Sequence, residues 1–207
     1  MPQFILTDKF IRVDNTRRAA TEERRRQITS AAITLLAEHG YQAATFDAIR
    51  RTAGLSSKRL ITYHFSGKEE LFAAIAEQIV TESEAYVQQA IAGITDPRDL
   101  LTAVIRAGVA FIATHTPHVR ALQQIVLNGG AGTWEQYHLQ SQNRLAELFA
   151  EGQRTGAFRP ADPRVMAAAL RAAIDSTAAL VSSGIDPGRC ADDLAALFHH
   201  GTTKEKP

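Results

Sequence analysis

The stretch from Thr45 to Leu71 constrains this chain more than any other: it encodes a short helix, a tight turn at Gly54, a second short helix and the start of a long one. Thr45 stands at the N-cap position, where a hydroxyl can accept from the first free amides, and Phe46 and Ile49 give the first short helix its apolar side. Ser56 or Ser57 caps the second, which runs to about His64, with Leu60 as its inward anchor. Ser66-Gly-Lys-Glu69 has capping-box spacing and opens the long helix, whose Leu71, Phe72, Ile75 and Ile79 share a face. Two short helices at a fixed turn form a unit that can lay one helix into the major groove of a duplex.

The remainder is helical by the same signals. Alanine is abundant, 207 residues hold only 13 Gly and 7 Pro, and alternating β-branched runs are missing, so the expected fold is all-α. Thr21 is a plausible N-cap for a first helix in which Ile28, Ala31, Ala32, Leu35 and Leu36 form one stripe ending at Gly40. Asp96-Pro97, Thr116-Pro117, Asp162-Pro163 and Asp186-Pro187 each combine a cap with a proline at the first helical position. They open helices reaching about Thr114, Asn128, Gly184 and Gly201. Between them, a capping box at Thr133 and Gln136 opens a helix that stops at Gly156, after a flexible linker at 129–132. Nine helices are expected, with a short disordered tail from Thr202.

Charge divides the chain. Residues 1–68 carry 12 Lys/Arg against 6 Asp/Glu, whereas residues 69–207 carry 11 against 16. A basic first third on an acidic remainder is expected if only the first part meets a polyanion. The layout is then a basic N-terminal arm over 1–20, a helix-turn-helix unit over 21–68, a ligand-binding and dimerisation region over 69–201 and a tail over 202–207. One cysteine, Cys190, excludes an intrachain disulfide and reads as a buried small hydrophobe. No apolar run approaches the ~20 residues of a membrane span, and no secretion signal stands at Met1, so a cytoplasmic protein without a membrane partner is expected. Gly-rich phosphate loops, His-Glu-x-x-His and Gly-x-Ser-x-Gly are missing, so no enzyme, metal site or cofactor is expected.

Ala-x-x-Leu-Leu-Ala-Glu-His-Gly-Tyr ending at Tyr41, Thr-Phe-Asp-Ala-Ile from Thr45, and Tyr-His-Phe-Ser-Gly-Lys-Glu-Glu-Leu from Tyr63 resemble, in combination, the tetracycline-repressor (TetR) family of bacterial regulators. The resemblance covers about residues 24–72; beyond it only helix number and length agree. It departs in one respect: Gly54 to Phe65 is eleven residues, one more than usual in the family, so register within 55–61 is open by one position.

That resemblance implies a double-stranded DNA operator, a small-molecule effector and a homodimer. Candidate DNA contacts are Thr45, Ser57, Lys58, Arg59, Thr62, Tyr63, His64 and Lys68. Lys58 and Arg59 could reach guanine edges, Tyr63 and His64 the backbone. Thr45 sits at a helix N-terminus suited to phosphate, and Lys68 opposes a helix dipole unless a phosphate lies nearby. The arm (Arg12, Arg17, Arg18 and Arg24 to Arg26) could enter a minor groove or pair with Glu22 and Glu23. Candidate effector contacts are Tyr86, Phe111, His115, Gln123, Trp134, Tyr137, His138 and Met166, two or three of which are expected to touch a ligand. The last two helices are expected to pair with their symmetry mates through Ala169, Ala173, Ile174, Ala178, Val181, Leu194, Leu197 and Phe198. Arg171 and Asp175, at i and i+4, are expected as a structural ion pair at that interface. The expected function is a ligand-responsive regulator, most often a repressor. The alternatives are a small-molecule-binding or scaffold protein with a vestigial helix-turn-helix, and a metal-sensing regulator.

Overall fold

The computed structural model describes residues 5–129 and 131–203, with side chains over 18–129, at 135 and over 138–203. Among these residues the chain is all-α, in nine helices: α1 (Ile5–His39), α2 (Phe46–Thr52), α3 (Arg59–His64), α4 (Lys68–Ile91), α5 (Pro97–Thr114), α6 (Thr116–Leu127), α7 (Ala131–Arg154), α8 (Pro163–Ser182) and α9 (Pro187–Thr202). The Asp-Pro starts behave as their chemistry dictates. Asp96 accepts from the amides of Arg98 and Asp99 at 2.8 and 3.1 Å, Asp162 from Arg164 at 2.9 Å, and Asp186 from Arg189 at 2.8 Å. Each bond satisfies an amide that the first helical turn leaves without a partner.

Five starts differ from expectation, one of them that of α3, whose N-cap is Lys58 and not Ser56 or Ser57. Helix α1 runs from Ile5 straight through Thr21, because no Gly or Pro interrupts residues 5–39. Helix α6 follows α5 across one residue, His115, at a 91° bend. Thr116 therefore turns back to the carbonyls of Ile112 and Ala113, at 3.3 and 3.2 Å, and does not cap α6. Ser66 closes on Glu70, not Glu69: its amide and hydroxyl both donate to Glu70 Oε2, at 2.7 and 2.5 Å. Those two bonds hold the Glu70 carboxyl below the usual range. Helix α7 begins at Ala131, ahead of Thr133. At the other end Thr202 is helical and buried, its hydroxyl on the Phe198 carbonyl at 2.8 Å, while residues 204–207 lie outside the described part.

Two cores organise these helices. The first joins α1, α2 and α3 to the N-terminal half of α4 and to Ala121 and Ile125 of α6. The second joins α5, α7, α8 and α9, with Val87 and Ile91 of α4 packed against it. Helix α4 is thus shared between the cores, and the first core continues past residue 68 through Leu71, Phe72, Ile75 and Ile79. Cys190 is buried beside Val109 and Ala191, and burial pushes its thiol pKa up.

Candidate nucleic-acid interface and adjoining cavity

The turn before α3 decides which residues face outward. Gly54 takes φ +64, a left-handed conformation that glycine adopts without strain, and the Leu55 amide returns to the Arg50 carbonyl at 2.9 Å. Between Leu55 and Arg59, Ser57 Oγ accepts from the Arg59 amide at 3.1 Å. Helix α3 therefore starts late and is rotated by one position. Ile61, fully buried, is its inward anchor, and Leu60 is only half-buried.

The outward face consists of Lys58, Arg59, Thr62 and Tyr63, with Tyr63 81% exposed. A large aromatic held this far into solvent contributes little to the protomer's core. Its ring lies edge-on to His64, centroids 5.1 Å apart. Lys58 is paired with Asp47 of α2 at 2.7 Å, which lowers the Asp47 pKa. Thr45 caps α2 as expected, accepting from the Ala48 amide at 3.2 Å.

Helix α1 grips this unit from behind. Arg25 Nη1 donates to the His64 carbonyl at 2.7 Å, and its guanidinium lies 4.3 Å from the Phe65 ring centroid. Gln27 donates to the Ala53 carbonyl at 2.6 Å. Burial, together with Arg25 and Arg24, lowers the His64 pKa, so His64 is a neutral donor or acceptor at pH 7. Arg26 pairs with Glu23 at 2.6 Å. Arg12 and Arg17 lie outside the described side chains.

Lys68 is turned inward. Its Nζ donates to the Tyr41 carbonyl at 3.1 Å and lies 4.1 and 5.1 Å from the ring centroids of Tyr41 and Phe72. Burial lowers its pKa, so the cation at the α4 N-terminus is held by a carbonyl and two π faces. The amide of Tyr41 is in turn bound by Gln124 Oε1 of α6, at 3.2 Å. Sequence reasoning singled out neither Tyr41 nor Gln124 for function, because their partners lie 27 and 83 residues away.

Gln124 also lines a cavity of about 430 Å³ enclosed by α4, α5, α6, α7 and α8. Its walls are largely apolar, with Ile79, Phe111, Val119 and Leu122 among them, and polar groups converge from Gln123, His138, Ser141, Arg171 and Asp175. Of the eight expected effector contacts, Phe111, Gln123 and His138 line it. Tyr86 and His115 stand behind Phe111, with ring centroids 5.7 and 4.3 Å from it, the second pair stacked at 13°. Met166 instead packs on the second core, and the side chains of Trp134 and Tyr137 lie outside the described part. Arg171 and Asp175 do pair, at 3.0 and 2.6 Å, but they face this cavity and not an outer surface.

The expected dimer residues divide. Ile174 and Phe198 are 5% and 7% exposed and belong to the second core, which corrects their assignment to a partner surface. Ala173, Ala178, Val181 and Leu194 are half-buried, while Ala169 and Leu197 are open to solvent. Apolar period alone marks a wide face and cannot say which edge the protomer's own core takes.

The head, the shared helix α4 and the cavity define a class: all-α proteins in which a helix-turn-helix unit is joined to a larger helical body. Residues 28–75 match the family of bacterial regulatory proteins, tetR family. It is 38% identical over 95 residues to the transcriptional activator FasR of Mycolicibacterium smegmatis, a match spanning 46% of this chain and 43% of that one. The fold resembles that of a Saccharomonospora viridis regulator solved with choline, with a TM-score of 0.78 and 20% identity over 89% of this chain and 100% of that one. It also resembles AibR solved with isovaleryl coenzyme A and operator DNA, with a TM-score of 0.70 and 20% identity over 84% and 97% of the chains. At these identities the two structures speak to the fold alone.

Proposed function

We propose that the chain is a cytoplasmic, homodimeric transcriptional regulator, not an enzyme, which holds a palindromic operator through α3 and releases it when a small molecule enters the cavity. The observation that carries the reading is the placement of Gln124, which lines the cavity and binds the backbone of the DNA-binding head at Tyr41. A ligand that moves α6 shifts Tyr41, and Tyr41 also holds Lys68 at the first turn of α4. Both ends of the head are then displaced together, and the separation of two heads in a dimer changes.

Dimerisation through α8 and α9 is supported by an uncharged exposed stripe on α8. Val165, Ala168, Ala169, Ala172, Ser176, Ala179 and Leu180 recur at helical spacing, and all are exposed. The helix has a mean hydropathy of 1.4 over its most apolar 18 residues, yet only 28% of that window is buried. Small side chains on such a face allow a second copy to approach closely.

Selection of random duplex DNA with the purified protein is expected to recover two-fold symmetric sites, bound by a protein with the mass of a dimer. Affinity should fall with salt at a slope of about −0.9 per phosphate neutralised. A monomer, or a protein without salt-dependent duplex binding, contradicts the proposal. A second outcome tests the coupling. Gln124→Ala should bind operator within about threefold of the parent, because it removes one hydrogen bond of about 1 kcal/mol that lies away from the DNA face. It should, however, blunt release by ligand. Unchanged release in a titration of the preformed complex would exclude Gln124 from the coupling.

A further inference from the structure

A second cavity, of about 360 Å³, lies beyond the first along α4. Val87, Ile91, Leu100, Val104, Leu145 and Leu148 form its apolar floor, and Gln88, Arg144, Glu147 and Glu151, all exposed, edge its mouth. Four residues line both cavities: Ser83 and Glu84 on α4, Ser141 on α7 and Arg171 on α8. The helices traverse the two spaces in a consistent order. On α4 the lining runs from Ile79 to Ile91, and on α7 from His138 to Glu151. Twelve residues of α4 correspond to about 18 Å. The two spaces thus adjoin at these four residues, a polar waist between two apolar floors.

The waist carries charges that already cancel. Arg171 uses Nε and Nη2 on Asp175, and Glu84 is paired with Arg144. A ligand bearing a full charge would have to break one of these pairs or remain unpaired among them. One donor has capacity to spare: Arg171 Nη1 makes only a 3.4 Å contact with Ser141 Oγ. A neutral oxygen acceptor at the waist would take that donor without disturbing either pair.

We infer that the effector is an elongated, uncharged molecule. Its two hydrocarbon arms fill the two chambers, and a central carbonyl or ester oxygen accepts from Arg171 Nη1. The inference rests on the first cavity being the effector site.

Heptyl heptanoate tests it against three probes. Tetradecane and myristic acid have the same carbon number, but the first lacks an acceptor and the second carries its charge at one end; propyl propanoate can fill only one chamber. Thermal unfolding of the full chain and release of a selected operator are read separately. Heptyl heptanoate should raise the melting temperature and release operator at about tenfold lower concentration than tetradecane or myristic acid, the worth of a hydrogen bond to a charged donor, and at lower concentration than propyl propanoate, which keeps the acceptor but leaves apolar wall uncovered. Arg171→Met should erase its advantage over tetradecane, and Ser141→Phe, which narrows the waist, its advantage over propyl propanoate. Both unliganded variants are checked by their own melting curves, and if either fails to fold the four-probe ranking on the parent protein still decides. The inference is overturned if myristic acid, tetradecane or propyl propanoate matches heptyl heptanoate, or if none of the four shifts the melting curve. Should the unliganded protein bind no operator, the regulator reading fails instead, and the melting shifts still report the ligand class.

Discussion

Arg59→Ala combined with Tyr63→Ala should abolish operator binding at physiological salt while leaving the protein fully folded. Both side chains stand on the outward face of α3, and Tyr63 at 81% exposure packs against no core residue. Exposed substitutions of this kind change stability by about ±0.5 kcal/mol. A guanidinium on a guanine edge is worth about 1–3 kcal/mol, and a lost phosphate or backbone contact adds to that. With two heads in each dimer, the loss in affinity is on the order of a hundredfold or more. Fluorescence anisotropy with a selected operator measures it, and thermal unfolding controls for folding. If the double variant binds within threefold of the parent, α3 does not read the DNA. Arg25 makes a poor substitute for this test. It holds the His64 carbonyl and covers Phe65, so its removal would disturb the head and the contact surface together.

Gly152→Ala should destabilise the protein by about 1–3 kcal/mol, although alanine is the better helix former. Gly152 lies within α7, and Phe158 folds back so that its ring rests on the glycine. A Cβ there would lie 2.0 Å from Phe158 Cδ2 and 2.3 Å from Cε2. The ring is 2% exposed and packs against Phe149 at 5.8 Å, so it has little room to withdraw. Helix propensity favours alanine by about 1 kcal/mol, and displacing a buried aromatic outweighs it. Denaturant unfolding checks the sign. Adding Phe158→Leu to Gly152→Ala should recover part of the loss, because the two changes share one contact. A Gly152→Ala protein as stable as the parent would refute the packing.

How far the sequence carried can be judged from particular elements. Asp96, Asp162 and Asp186 start their helices where expected, because a cap and the proline beside it act within one turn. Thr45 caps α2 for the same reason. Thr21 carried a similar signal and does not cap, since nothing before it stops a helix. Leu60 and Ile61 are both apolar neighbours; the conformation of the turn after Gly54 determined which one points inward. Lys68 illustrates the limit most clearly. Its place at a helix N-terminus pointed to a phosphate, yet its ammonium is held by Tyr41 and Phe72, one of them 27 residues away.

The cavity divides in the same way. Phe111, Gln123 and His138 line the cavity as their place on the middle helices suggested, whereas Met166 was misplaced because a helix face does not name its neighbour. The pairing of Arg171 with Asp175 follows from i,i+4 geometry, but its position at the waist of two chambers depends on how α8 sits against α4 and α7.

Sequence alone determined the helices and the helix-turn-helix, since backbone period, caps and prolines act over a few residues. Tertiary structure alone decided the rotation of α3, the ring on Gly152, the Gln124–Tyr41 bond and the shape of the cavities. These depend on side chains from distant segments competing for the same space, and no local pattern encodes the outcome of that competition.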